Sequence, residues 1–214
     1  MKIKGVIFDL DGVLISTDEY HYQAWKILCD SYGIPFDHKE NDLLRGVSRM
    51  DSLGIILKTV KLSFPLEMRE KMAEEKNDIY RKLLSQNVTS KSVSAETRKV
   101  LDDLRMKNIE IGLGSSSKNA KTIISLADLE RYFDAIVDGN MITHSKPNPE
   151  VFLNVANLLK LKPGECLVVE DAVAGIQAAH NGGFHSYAIK SARNSPLAEY
   201  KSLSLLSILK IVLD

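Results

Sequence analysis

Four short apolar runs recur along this chain, each ending on acidic or small polar residues, and no other feature of the sequence limits its fold so strongly. They are Gly5-Val6-Ile7-Phe8 before Asp9-Leu10-Asp11-Gly12, Ile109-Glu110-Ile111-Gly112-Leu113 before Ser115-Ser116-Ser117, Ala135-Ile136-Val137 before Asp138-Gly139, and Cys166-Leu167-Val168-Val169 before Glu170-Asp171. Runs this short and rich in β-branched residues predict parallel strands buried on both faces. Segments with helical periodicity lie between them, at Glu96 to Lys107, Ala120 to Leu126, Glu150 to Leu159 and Ala172 to His180. Strand and helix in alternation predict an α/β fold with a doubly wound, Rossmann-like parallel sheet.

One region breaks the alternation. From about Ser16 to Thr89 the chain is charged, contains Trp25, and has no comparable apolar run. Helical stretches are expected at Tyr20 to Tyr32, stopped by Gly33-Ile34-Pro35, at Ser52 to Thr59, and at Leu66 to Leu84. The 214 residues fall between one ordinary domain and two. The expected organisation is therefore a discontinuous core, 1–15 with 90–214, interrupted by an inserted helical cap domain over 16–89.

Lys and Arg total 28 and Asp and Glu total 28, so no broad field draws nucleic acid or an anionic membrane. A small anionic substrate stays compatible with this balance, because a few converging side chains vanish in a sum over the chain. Cys29 and Cys166 lack metal or redox spacing and read as buried thiols. Asp9 and Asp11 interrupt the first apolar run before it reaches signal-peptide length, and no segment offers about 18 consecutive apolar residues. These features predict a cytoplasmic protein.

In open α/β sheets ligands bind beyond the carboxyl ends of the strands, where the polar residues of the four runs gather. Asp9 and Asp11, two apart at a strand end, leave on one face, and Gly12 lets the chain turn away. Their repulsion is relieved by a divalent cation or by a proton on one carboxyl, unless both are plain turn carboxylates. Glu170-Asp171 either caps a helix N-terminus or joins Asp9 in the oxygen-rich half-shell that Mg²⁺ prefers. Lys146, stiffened by Pro147 and Pro149, is placed to aim an ammonium at those carboxylates or to be a solvated charge. Ser115-Ser116-Ser117-Lys118-Asn119 precedes a helix and reads either as ordinary capping or as a phosphate site.

Taken in order, Asp9-Leu10-Asp11-Gly12-Val13, Ser115, Lys146 and Glu170-Asp171 resemble the four motifs of the haloacid dehalogenase superfamily of phosphotransferases. The insert, with Glu19-Tyr20-His21, Ala24-Trp25-Lys26, Arg45-Gly46-Val47-Ser48-Arg49, Asp51-Ser52-Leu53 and Lys76-Asn77-Asp78, resembles the sugar phosphomutases within that superfamily. The resemblance implies Asp9 as a nucleophile that becomes an aspartyl phosphate, and Asp11 as general acid and base. It implies Mg²⁺ held by Asp9, Asp11, Glu170 and Asp171, and charge stabilisation by Ser115 and Lys146. The second phosphate would fall to Arg49, Ser116, Ser117, Lys118 and Asn119. The sugar side would fall to Gly46, Val47, Ser48, Ser52 and Asn77. Thr17 would lie at a hinge, and His21 with Lys76 would link sugar binding to Asp11; without the resemblance His21 reads as a helix-face residue packed on Trp25.

The implied reaction is interconversion of β-glucose 1-phosphate and glucose 6-phosphate, primed by β-glucose 1,6-bisphosphate, in a monomer acting on small sugar phosphates. The alternative is a phosphatase of the same fold that hydrolyses the aspartyl phosphate. A sugar-phosphate sensor is a third reading, disfavoured because Asp9, Asp11 and Lys146 are all present. Ile15-Ser16, Arg45 and Val93-Ser94-Ala95-Glu96 depart from the pattern near the expected hinges and the insert loop.

Overall fold

The computed structural model describes residues 2–44 and 47–213. Arg45 and Gly46, singled out above, therefore lie outside the described residues. The chain forms two compact units, Met1–Ser16 with Val88–Asp214, and Thr17–Asn87. Along the chain β1 (Gly5–Phe8) is followed by α1 (Asp18–Ser31), α2 (His38–Asp42), α3 (Arg49–Thr59) and α4 (Leu66–Asn87). The first unit then resumes with α5 (Ala95–Met106), β2 (Glu110–Gly114), α6 (Ala120–Leu126), β3 (Ala135–Val137), α7 (Glu150–Leu159) and β4 (Cys166–Glu170). It ends with α8 (Val173–Asn181), β5 (His185–Ala188), β6 (Tyr200–Lys201) and α9 (Ile208–Leu213).

Among the described residues the sheet has the order β3-β2-β1-β4-β5-β6, and every pairing is parallel. The fold is α/β and doubly wound. Strands β1, β2 and β3 progress one way, and β4 then begins on the other side of β1, so the topological switch point lies between β1 and β4. Phe8 is level with both Leu113 and Val169, which brings the residues after all three strands to one edge. Val6, Ile7 and Phe8 are fully buried, as a central strand covered on both faces requires.

Helix α7 lays Val151, Phe152, Val155 and Ala156 on the sheet. It can approach because β2 carries Gly112 and Gly114, where a Cβ would run into Val155 and Phe152. Each such buried aliphatic or aromatic side chain contributes about 1.5–3 kcal/mol, so this face anchors the sheet beneath the polar edge.

The helical unit has its own core of Trp25, Leu28, Cys29, Ile34, Phe36, Leu53, Ile56 and Met72. Helix α1 ends where Gly33 adopts φ 65° and the Ile34 N–H reaches back to the Cys29 carbonyl, a left-handed stop that glycine makes without strain. Helix α1 begins at Asp18 rather than Tyr20. Helix α3 begins at Arg49 rather than Ser52, because the Ser48 hydroxyl accepts from the Asp51 N–H at 3.2 Å and caps it three residues earlier. Among the described residues no helix is long and apolar enough to cross a membrane.

Candidate active site

The switch-point edge carries a cluster of charged side chains, Asp9, Lys146, Glu170 and Asp171. Asp9, only 7% exposed, follows β1 and is fixed by its N–H bond to the Val169 carbonyl at 3.0 Å. The Lys146 ammonium donates to Asp9 Oδ1 and, at 2.5 Å, to Glu170 Oε1. Glu170, 1% exposed, uses its second oxygen to accept from the N–H groups of Asp171 and Ala172, at 3.0 and 3.2 Å. Carboxylate oxygens of Asp9, Glu170 and Asp171 lie within 4.8 Å of one another. Asp11 sits on the turn held by the Gly12 N–H bond to the Ile15 carbonyl, 2.7 Å. Gly12 has φ 82°, and a Cβ there would strike the Asp171 carboxylate, so the first and last acidic motifs pack directly together.

The electrostatics follow from burial and charge count. Burial pushes Asp9 well above the usual carboxylate range; Lys146 opposes the rise, while Glu170 and Asp11 add to it. Burial pulls Lys146 down, yet the carboxylates of Asp9 and Glu170 outweigh it and hold the ammonium above its ordinary value. The carboxylates of Asp9, Glu170 and Asp171 form an all-oxygen donor set of the kind that matches a hard divalent cation. The residues therefore fit a Mg²⁺ ion.

Lys146 is aimed by a braced loop. Glu150, first residue of α7, accepts from the N–H groups of Thr143 and His144, both at 2.8 Å, and from His144 Nδ1. Asn148 accepts from the Glu150 N–H, and Asn181 at the end of α8 donates to the Pro147 carbonyl at 3.1 Å. The Lys146 stem lies along Phe152, with the ammonium 4.7 Å from the ring centroid. Glu150 and Asn181 escaped the sequence reading. Glu150 had a signal in its place at the first position of an apolar helix; the bond from Asn181 joins residues 34 apart and had none.

After β2, the buried Ser115 accepts from the Ser117 N–H at 3.1 Å, and Ser117 accepts from the Asn119 N–H at 3.2 Å. These bonds occupy N–H groups that the sequence pattern left available to an anion. Among the described residues the Ser116 hydroxyl is buried with no hydrogen-bond partner. Gly139 braces this loop through its N–H bond to the Ser117 carbonyl, and Asn140 donates to the Lys118 carbonyl at 3.0 Å.

In the helical unit, the Thr17 hydroxyl accepts from Tyr80 at 3.1 Å. His21 Nδ1 lies 2.9 Å from Lys76 Nζ, and its ring stacks on Tyr80 with centroids 4.1 Å apart. Desolvation lowers the His21 pKa well below the ordinary imidazole value, with Lys76 and then Arg49 adding to the fall. A neutral His21 accepts at Nδ1 from Lys76 and so carries its proton on Nε2. Arg49 donates to the Ala73 carbonyl at 3.2 Å and to Glu74 at 3.1 Å, and Asn77 reaches Glu74 at 3.5 Å. Ser52 is buried, Val47 is exposed, and Ser48 is taken up by its cap. The structure thus gathers Asp9, Asp11, Lys146, Glu170 and Asp171 in one unit, and Thr17, His21 and Lys76 around Tyr80 in the other.

A sequence profile of the haloacid dehalogenase-like hydrolases matches residues 6–189. The chain is 37% identical to the β-phosphoglucomutase of Bacillus subtilis, over 87% of this chain and 83% of that one. It is 30% identical to a phosphorylated carbohydrates phosphatase of Thermotoga maritima, over 85% and 82%. The crystal structure of a β-phosphoglucomutase from Clostridium difficile superposes with a TM-score of 0.89 at 37% identity, covering 99% of this chain and 97% of that one.

Proposed function

Because the chain belongs to the haloacid dehalogenase-like hydrolase family, we propose that it is a sugar phosphomutase, interconverting β-glucose 1-phosphate and glucose 6-phosphate through β-glucose 1,6-bisphosphate. The observation that carries this reading is the buried cluster of Asp9, Lys146 and Glu170 at the switch point, in a chain 37% identical to a β-phosphoglucomutase.

On this reading Asp9 attacks phosphorus, its oxygen forming the new P–O bond while the bond to the sugar oxygen breaks, and an aspartyl phosphate results. Asp11 delivers a proton to the departing sugar oxygen and takes one from the hydroxyl that returns. Lys146 and Ser115 stabilise charge on the phosphoryl oxygens, where most of the catalysis of such a transfer resides. Asp9, Glu170 and Asp171, with the Asp11 carbonyl, would hold Mg²⁺, which supplies further neutralisation of phosphoryl charge when bound. Arg49 is assigned to the second phosphate, for which its planar fork is suited. Ser116, Ser117, Lys118 and Asn119 share that assignment. Val47, Ser48, Ser52 and Asn77, together with Gly46, are assigned to the sugar, and His21 with Lys76 to coupling sugar binding to Asp11.

A hydrolytic reading draws on the 30% identity to the Thermotoga maritima phosphatase; it requires only that water reach the aspartyl phosphate. The deciding experiment supplies β-glucose 1-phosphate, Mg²⁺ and catalytic β-glucose 1,6-bisphosphate, and compares glucose 6-phosphate with inorganic phosphate over time. Glucose 6-phosphate is expected to dominate. Stoichiometric inorganic phosphate would make the protein a phosphatase.

A further inference from the structure

We propose that Gly175 is a positioning residue for Glu170, and that the side chain it lacks sets the geometry of the acidic cluster. Gly175 lies in the first turn of α8, where its N–H bonds the Ala172 carbonyl at 3.2 Å. An added Cβ would fall directly on the Glu170 carboxyl, striking Cδ and Oε1. The Gly175 Cα is thus the floor on which that carboxyl rests.

A collision with the tip of a flexible side chain is ordinarily relieved by a small swing. Glu170 cannot make one without loss. It is 1% exposed, one oxygen is bound by the N–H groups of Asp171 and Ala172, and the other by Lys146. Moving it by the width of a methyl group sacrifices charge-assisted bonds in a desolvated site, where each is stronger than at the surface. The displaced carboxyl would leave Lys146 with Asp9 as its remaining partner in this triad, and would take one oxygen donor out of the cluster.

No demand of backbone conformation competes with this explanation. Gly175 is not among the residues of positive φ, and alanine is the better helix former by about 1 kcal/mol. On local grounds alone, Gly175→Ala would stabilise α8. Gly12 stands in the same relation to Asp171, but its φ of 82° would confound a substitution there, so Gly175 gives the clean test.

The inference rests on the proposed function only in taking the acidic cluster to serve phosphoryl transfer; its test does not depend on whether sugar or water accepts the phosphoryl group. Gly175→Ala, Glu170→Asp and the double variant would be purified and compared with the parent. Three measurements apply: Mg²⁺ affinity by calorimetry, Mg²⁺-dependent kcat on an aryl phosphate, and thermal melting in chelator. Gly175→Ala alone is expected to lower kcat by on the order of 100-fold and weaken Mg²⁺ at least tenfold, while retaining cooperative melting. In the Glu170→Asp background, where the shorter side chain vacates the space, the same alanine is expected to change both quantities less than twofold. Equal losses in the two backgrounds would overturn the proposal, as would a Gly175→Ala enzyme with parental kcat. A crystal structure of Gly175→Ala gives a readout independent of metal and turnover: a Glu170 carboxyl still bonded to Lys146, Asp171 and Ala172 would also overturn it.

Discussion

Both units of this protein bury a lysine against a second polar side chain, and they do so in opposite company. In the core unit, Lys146 lies between the carboxylates of Asp9 and Glu170, which hold it charged. In the helical unit, Lys76 lies beside His21, with its ammonium 5.1 Å from the Trp25 ring centroid and 4.6 Å from that of Tyr80. The core arrangement gathers the carboxylate oxygens of Asp9, Glu170 and Asp171 and so presents acceptors. The helical one keeps an imidazole neutral and leaves its proton on Nε2, the nitrogen that does not meet Lys76. A lysine among acids serves charge balance, whereas a lysine against a neutral base selects a tautomer.

The comparison can be broken at several points. Asp9→Asn removes the proposed nucleophile and should lower turnover by on the order of 10⁵-fold or more, with no phosphoenzyme detectable by intact mass; surviving turnover would remove Asp9 from its assigned role. Lys146→Met in metal-free buffer should cost about 3–5 kcal/mol of stability in urea melts, because it strands two buried carboxylates, and should lower kcat by about 10²–10³-fold. Added Mg²⁺ should recover part of the stability, since the cation replaces the missing charge. Stability unchanged by the substitution would mean that the carboxylates do not depend on Lys146.

For the helical unit the expected signature is a pH dependence. The folded-state pKa of His21 is depressed, so between that value and the unfolded value of about 6.5 the unfolded chain binds the extra proton. Stability is fully present above about pH 6.5 and is lost as the pH falls below it, by up to about 1.4 kcal/mol per pH unit. His21→Asn should flatten this slope in urea melts at pH 5, 6 and 7; an unchanged slope would place its origin elsewhere. Tyr80→Phe is the mildest test. Removing the hydroxyl that donates to Thr17 should cost about 1 kcal/mol, and no measurable cost would mean the bond does not help hold the start of α1.

Much of the core was legible because a strand buried on both faces must be apolar throughout, so its first polar residue marks the sheet edge. Strands β1 and β3 occupy the same residues as their apolar runs, and α6 and α7 those of their periodic segments. Strand β5 was not legible, since His185-Ser186-Tyr187-Ala188 mixes polar with apolar residues. Its polar groups are satisfied by non-local partners: Ser186 accepts from the Glu199 N–H, and Tyr187 donates to the Ser204 carbonyl. Helix α2 had a readable start in Asp37 and Glu40, which form a capping box, but its five residues carry too little periodicity to announce a helix. At the candidate site, residue types could be read from the ends of the runs. The supports could not: Glu150 holds its loop through backbone N–H groups, and Gly175 acts by an absence of atoms.

The chain passes between its two units only near residues 16–17 and 87–88, and both passages fall within the single connection from β1 to α5. Every backbone bond of the sheet is made by residues outside that stretch. Lengthening, shortening or exchanging the insert therefore leaves strand register and the Asp9 edge untouched. The helical unit is thus exchangeable as a module while the acidic edge stays fixed, and a chimera keeping 1–16 and 88–214 is expected to retain the strand register and the Asp9, Lys146 and Glu170 contacts.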